Sequence, residues 1–88
     1  MSKSEMISEF CESERLSLSF YYDMQSEGWG PDIMQSGTRT TISPEAKAIW
    51  RREREEAARR GIRRALPPDV RRAVREEFAR QQHMIETV

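Results

Sequence analysis

The segment from Gly28 to Ser43, GWGPDIMQSGTRTTIS, places the strongest limit on how this chain can fold. Glycine and proline at its start stop a helix, Ser-Gly in its middle favours a turn, and the following TRTTI is rich in β-branched residues. We therefore expect a β-hairpin from about Asp32 to Ile42. Because a two-stranded hairpin is marginally stable alone, Ile33 and Ile42 are predicted to pack on neighbouring helices.

Two helices are predicted before the hairpin, over residues 4–12 and about 17–27. Both carry apolar residues at helical spacing, and Ser17 or Ser19 can cap the second helix with its hydroxyl group. Gly28 suits the left-handed position that ends a helix. The predicted apolar residues are Ile7, Phe10, Cys11, Phe20, Tyr21 and Met24, with Leu16 and Leu18 at the turn. Two helices joined by so short a turn form a helix-turn-helix in outline.

A third helix is predicted to begin at Ser43-Pro44-Glu45, which offers a capping hydroxyl group, a proline at the first helical position and a carboxylate in the first turn. Ile49 and Trp50 would close the core against the first helices. The run at 51–60, RREREEAARR, has few apolar residues but several Arg/Glu pairs at i,i+4. Each pair is worth about 0.2–0.5 kcal/mol on an exposed helix, so the run can stay helical outside a core.

A fourth helix is predicted from about Pro68 to Met84, with an apolar stripe that needs a partner. That partner is either the small domain or a second copy of the chain. We favour self-association, because the charged run can carry this helix away from the domain. The residues predicted for oligomerisation are Val70, Val74, Phe78 and Ile85. The predicted divisions are a winged helix-turn-helix domain at 1–52, a charged helical extension and linker at 53–66 and an amphipathic helix at 67–88.

Charge is distributed unevenly along the chain, although the formal net charge is zero. Residues 1–43 hold three basic and seven acidic side chains, whereas residues 44–88 hold twelve basic and eight acidic ones. A polyanion is therefore expected to approach the second half or the hairpin, and not the first helices.

The residue types that carry catalysis are scarce. Cys11 is the only cysteine and His83 the only histidine, so one chain can assemble neither a disulfide framework nor a zinc site. We interpret Cys11 as a small core residue and His83 as a solvated tail residue, and expect no enzyme, no metal and no cofactor. No apolar run approaches the roughly 18 residues that a membrane span needs, which favours a cytoplasmic protein without a membrane partner.

One ordered set of motifs resembles a known family. From Ile7 to about Arg52 the chain combines a Ser-x-Ser-Phe-Tyr second helix, a Glu-Gly-x-Gly-Pro exit, a Gly-Thr-Arg hairpin tip and an Ile-Ser-Pro-Glu-Ala-x-x-x-Trp close. This half of the chain resembles the excisionase and AlpA-like regulators, small relatives of the MerR DNA-binding domain found in phages and mobile elements. The resemblance implies a mainly α fold with a small β-hairpin, arranged as a winged helix-turn-helix.

The resemblance also implies how DNA would be bound. The second helix would enter the major groove as the recognition helix, and the hairpin would be the wing, with its tip near phosphates or the minor groove. Further cations would come from Arg15 at the turn and from the start of the charged helix. The implied contact residues are Arg15, Ser17, Ser19, Tyr22, Gln25, Thr38, Arg39, Thr40, Arg51 and Arg52.

Two functions are therefore weighed. The first is a DNA-binding transcription regulator, or a recombination directionality factor that bends DNA, acting as a dimer or an array near the nucleoid. Because the second helix carries Asp23 and Glu27 but no basic residue, one copy should bind weakly and with strong salt dependence. The second is a protein-interaction module, in which acidic helices engage a basic partner or mimic DNA and the last helix docks or dimerises.

Overall fold

The computed structural model describes residues 4–86, with side chains up to Gln82. It is mainly helical and holds one small antiparallel sheet. The elements in chain order are β1 (Glu5–Met6), α1 (Ile7–Glu14), α2 (Leu18–Glu27), β2 (Met34–Ser36), β3 (Arg39–Ile42), α3 (Pro44–Arg59) and α4 (Pro68–Glu86). The sheet has the order β1-β3-β2, so the hairpin β2–β3 gains a third strand from the start of the chain.

Two predicted helix starts are confirmed by their caps. The hydroxyl oxygen of Ser17 accepts the backbone N–H of Phe20 at 3.1 Å, and that of Ser43 accepts the N–H of Ala46 at 3.0 Å. The first helix was expected over residues 4–12, but Glu5–Met6 is a strand. The helix begins at Ile7 because the Glu9 carboxylate accepts the N–H of Met6 at 2.9 Å, and pairing with β3 holds the two preceding residues extended.

The core lies between α1, α2, β3 and the first half of α3. Its buried aromatic contacts are edge to face, with the Phe10 ring centroid 5.2 Å from that of Trp50 and 6.0 Å from that of Tyr21. The buried residues of this cluster are Phe10, Cys11, Tyr21, Met24, Trp29, Ile42 and Trp50. The predicted core positions of Cys11 and Trp50 are thus confirmed.

Three predicted core positions are wrong. Ile33 is 49% exposed and directly precedes β2, which is the edge strand of the sheet and is hydrogen-bonded to β3 alone among the strands. Leu18 is exposed because the turn directs Leu16, and not Leu18, into the corner of the core. Phe20 is 44% exposed and meets the buried Trp29 edge to face at 5.8 Å, so it lies at the margin of the core.

The last helix, α4, packs against α3 of the same chain, which contradicts the expectation that the charged run carries it away. Glu53 of α3 is 4% exposed, and its Oε2 accepts the Nε–H groups of Arg71 and Arg75 of α4, both at 2.9 Å. Two further residues are buried in this part of the chain, Ala57 in α3 and Leu66 shortly before α4. The predicted boundary after residue 52 falls inside the unbroken helix α3, and the division into domains stays a prediction.

Candidate nucleic-acid interface

Helix α2 has one buried side and one exposed polar side. Tyr21 and Met24 anchor it in the core. At 100° per residue, the opposite side carries Ser19, Tyr22, Asp23 and Ser26, and all four are exposed. We call these four residues the outer stripe of α2. Ser17 lies at the start of the helix, exposed, with its hydroxyl group engaged in the cap.

Gln25 was expected on the exposed side of α2, but it faces the loop that follows the helix. Its Nε2 donates to the hydroxyl oxygen of Tyr21 at 3.0 Å and to the carbonyl oxygen of Pro31 at 2.8 Å. A Cβ atom on Gly30 would lie 2.8 Å from the Gln25 side chain, so a larger residue there would displace the Gln25 amide from these partners. Gln25 therefore fixes the exit from α2, and Asp23 and Ser26 are the outward residues that sequence reasoning missed.

The hairpin presents a small outward face. Thr41 of β3 is paired with Met6 on one side and Met34 on the other, and the next residue, Ile42, is buried. Because strand side chains alternate, Arg39 shares the outward face with Thr41, whereas Thr40 shares the half-buried face with Ile42. Thr38 lies exposed in the turn. Arg39 is exposed and makes no ion pair with any residue that the structure describes.

The cation expected at the turn, Arg15, ends α1 in the left-handed conformation, with φ 58°. The turn is closed by the N–H of Leu16, which donates to the carbonyl oxygen of Cys11 at 2.8 Å. Arg15 is the only residue other than glycine with positive φ in the described part of the chain. Its side chain is exposed and has no ion pair within residues 4–82.

The two predicted contacts on α3 are held within the chain. Arg51 lies 2.5 Å from the Glu14 carboxylate of α1, and the hydrogen bond with this carboxylate raises the pKa of Arg51. Arg52 donates to the side-chain oxygen of Gln81 at 3.0 Å, across the junction with α4. Neither residue offers an unengaged guanidinium group comparable to those of Arg15 and Arg39.

Acidic residues of the first half pair with arginines of the second half. Arg64 lies 2.6 Å from Glu27 at the end of α2, and Arg75 lies 3.0 Å from Asp32 in the exit loop. The other Glu27 oxygen accepts the indole N–H of Trp29 at 2.8 Å. This hydrogen bond, together with the Arg64 charge, lowers the pKa of Glu27. The charge difference between the halves is thus partly neutralised inside the fold.

The face predicted for oligomerisation is partly covered within one chain. Val70, Val74 and Phe78 are half-buried, and Val74 lies in the groove between α4 and α3, beside Arg52 and Glu56. The side chains of Ile85 and His83 lie outside the described residues. Self-association through this face stays a prediction.

Other kinds of site were sought in the same structure. Among the described residues, no three histidine, cysteine or acidic side chains are grouped as a metal site would require. No described helix is both long and apolar enough to cross a membrane. Comparison with protein-family models, curated proteins and solved structures found no match to this chain. The surface formed by α2, Arg15 and the hairpin is therefore judged by its own geometry.

Proposed function

We propose that this chain binds double-stranded DNA as a small winged helix-turn-helix protein, with α2 as the recognition helix and β2–β3 as the wing. The observation that carries the proposal is the outer stripe of α2, which is polar, exposed and fixed from behind by Tyr21 and Met24. Arg15 and Arg39, exposed cations without an ion pair among the described residues, lie on the turn before this helix and on the hairpin after it. The role that we propose for this surface is that of a transcription regulator or a recombination directionality factor at the nucleoid.

Phosphate contacts and base contacts have different sources in this proposal. Arg15 and Arg39 bind backbone phosphates, together with the exposed hydroxyl group of Thr38 near the hairpin tip. Ser19 and Tyr22 reach base edges from the outer stripe. Asp23 belongs to the same stripe and can accept a hydrogen bond from a cytosine amino group. A helix that carries this carboxylate should therefore discriminate among sequences more than it contributes to affinity.

The number of available cations sets the expected affinity. Each phosphate contact contributes about −0.9 to the slope of log affinity against log salt concentration. Two contacts therefore correspond to a slope of about −1.8. One copy should therefore bind weakly, and a dimer or an array along the DNA would restore affinity through multiple attachment. We propose such assembly as part of the function.

The test is a fluorescence titration of labelled random duplex DNA with the purified chain at several salt concentrations. Arg39→Ala should lower affinity for all sequences about tenfold and make the salt slope shallower by about 0.9. Arg80→Ala is the matched control, because Arg80 is also exposed and without an ion pair among the described residues, but lies on α4. Absence of binding by the unmodified chain at low salt rejects the DNA proposal.

A protein-interaction module is the second candidate, favoured by the outward face of the sheet. Met6 and Met34 lie on either side of Thr41 and are each about half exposed, 48% and 49%. DNA backbone contact makes no use of two exposed thioether side chains on one sheet face, whereas protein-binding surfaces do. If Met34→Gln reduces self-association in sedimentation experiments while DNA does not bind, this candidate replaces the first.

A further inference from the structure

Helix α2 has no basic residue of its own, yet the loop between α3 and α4 brings two arginines beside it. A cleft of about 250 Å³ separates this loop from one side of α2. Its lining residues are Phe20, Asp23, Glu27, Trp29, Arg63 and Arg64. Asp23 belongs to both the outer stripe and this cleft, so the cleft is continuous with the proposed DNA-binding side of the helix.

The loop that carries these arginines is fixed at several points. Where α3 ends, the N–H of Ile62 donates to the carbonyl oxygen of Ala57 at 2.8 Å, and Leu66 is buried at the far end of the loop. Arg54 donates through Nη2 to the carbonyl oxygen of Arg64 at 2.6 Å. The Arg64 side chain in turn donates to Glu27. The backbone at residue 63 is therefore held on both sides and tied to α2.

The charges around the cleft leave one arginine available. Arg64 is paired with Glu27, and the Arg54 guanidinium carbon lies over the Trp29 ring, 4.5 Å from its centroid. Arg63 is exposed and forms no ion pair with the described residues. With Arg63 and Arg64 set against Asp23 and Glu27, the lining of the cleft changes this side of α2 from two negative charges to none. Arg54, over the Trp29 ring, adds a further positive charge nearby. An anion can thus approach a helix that is acidic by sequence.

We propose that Arg63 binds a backbone phosphate of DNA beside the groove that α2 enters, which makes the α3–α4 loop a third contact element next to the helix and the wing. This inference rests on the proposed function. A helix in the major groove runs between two phosphate backbones, so a cation on its flank meets phosphate. The loop thereby supplies, from outside α2, the charge that the helix lacks.

The experiment compares Arg63→Gln with Arg80→Gln in the full chain. Both replaced side chains are exposed and without ion pairs among residues 4–82, so thermal unfolding followed by circular dichroism should be unchanged in both variants. Binding to labelled random duplex DNA is then measured at several salt concentrations. We expect Arg63→Gln to weaken binding about three- to tenfold at low salt and to make the salt slope shallower by about 0.9, with little effect of Arg80→Gln.

The possible failures are distinguishable. Equal binding by the two variants, together with weaker binding of Arg39→Ala, overturns the Arg63 contact and leaves DNA binding standing. If the unmodified chain does not bind DNA at low salt, both proposals are overturned. Unchanged DNA binding of Arg63→Gln with reduced binding of a polyglutamate peptide also overturns the phosphate contact, because the cleft then recognises protein carboxylates.

Discussion

Several arginines of the second half of the chain differ from those of the first half in what they contact. Arg51, Arg64 and Arg75 each pair with an acid from the first half of the chain, and Arg71 and Arg75 enclose the buried carboxylate of Glu53. Arg15 and Arg39 are few, but they are exposed and unpaired within the described structure. The number of arginines in a segment therefore does not tell which segment attracts a polyanion, because pairing inside the fold decides which charges are available.

The largest effect is expected on stability, from a change at Glu53, whose carboxylate is bound by two arginines of α4. Glu53→Gln removes the carboxylate between Arg71 and Arg75, which leaves Arg71 without an anion and Arg75 with only the exposed carboxylate of Asp32. Breaking a buried pair from one side typically costs 3–5 kcal/mol, and because both arginines are about one-third exposed we expect about 3 kcal/mol of lost unfolding free energy. Urea unfolding followed by circular dichroism measures this loss.

The control for that variant is Glu55→Gln, two residues further along α3. Glu55 is exposed and forms no ion pair with the described residues, so its replacement should change unfolding free energy by less than about 0.5 kcal/mol. Equal stability of the two variants would mean that α4 is not held by Glu53. The α4 arginines would then have to be counted with the available cations.

A paired arginine should become available when its acid is removed. Glu27→Gln keeps a side-chain oxygen for the Trp29 N–H but removes the charge that engages Arg64. If α2 and the adjoining loop face DNA, affinity for random duplex should rise about three- to tenfold and the salt slope should steepen by about 0.9. Glu56→Gln is the matched control, because it frees Arg59 and Arg60 at the end of α3 instead. An equal gain in both variants would show that DNA binding does not depend on where the freed charge lies.

The same variant has a signature at acid pH. The pKa of Glu27 is lowered in the folded state by the Trp29 hydrogen bond and the Arg64 charge, so this carboxylate stabilises the fold above its ordinary pKa. That contribution is lost as the pH falls through the lowered pKa. Acid unfolding of Glu27→Gln should therefore lack this part of the pH dependence, which titration by circular dichroism measures.

Local sequence signals predicted the elements well. The Ser17 and Ser43 caps and the Pro68 helix start are each decided by neighbouring residues, and the structure has them where they were expected. The hairpin turn also forms, but one residue later than the predicted Ser36-Gly37, at Gly37 and Thr38. The polar contacts that organise the second half could not be found in this way. Glu53 and Arg75 are 22 residues apart, and in sequence Glu53 looks like any other acid in a charged helix.

The candidate site was predictable to a similar extent. Exposure of Ser19, Tyr22 and Arg39 followed from their spacing relative to core residues. Gln25 was misplaced because its partner, the Pro31 carbonyl oxygen, lies on a loop whose path is set by tertiary packing. Arg63 was missed because only the folded loop brings it next to α2. The one available signal in the sequence was that α2 contains no cation, so any cation beside it has to come from another segment.

The smallest effect concerns how three helices end. The residues after α1, α2 and α3 that adopt positive φ are Arg15, Gly28 and Gly61. In each case the following N–H bonds back to a carbonyl group in the last turn. Glycine is the usual residue at such a position, since a side chain there is strained. An arginine at the same position is expected where its charge has a use that outweighs this strain.

Arg15→Gly should therefore separate stability from binding. Relief of the left-handed strain, reduced by the greater freedom of glycine in the unfolded chain, should raise unfolding free energy by about 0.5 kcal/mol. Loss of the charge should weaken DNA binding about threefold. Arg15→Ala is the matched control, because it loses the same charge but keeps the strained backbone, so its affinity should fall equally without a gain in stability. If Arg15→Gly becomes more stable while binding DNA as well as the unmodified chain, then Arg15 makes no phosphate contact, and Arg39 would be the remaining available cation among the described residues of the first half.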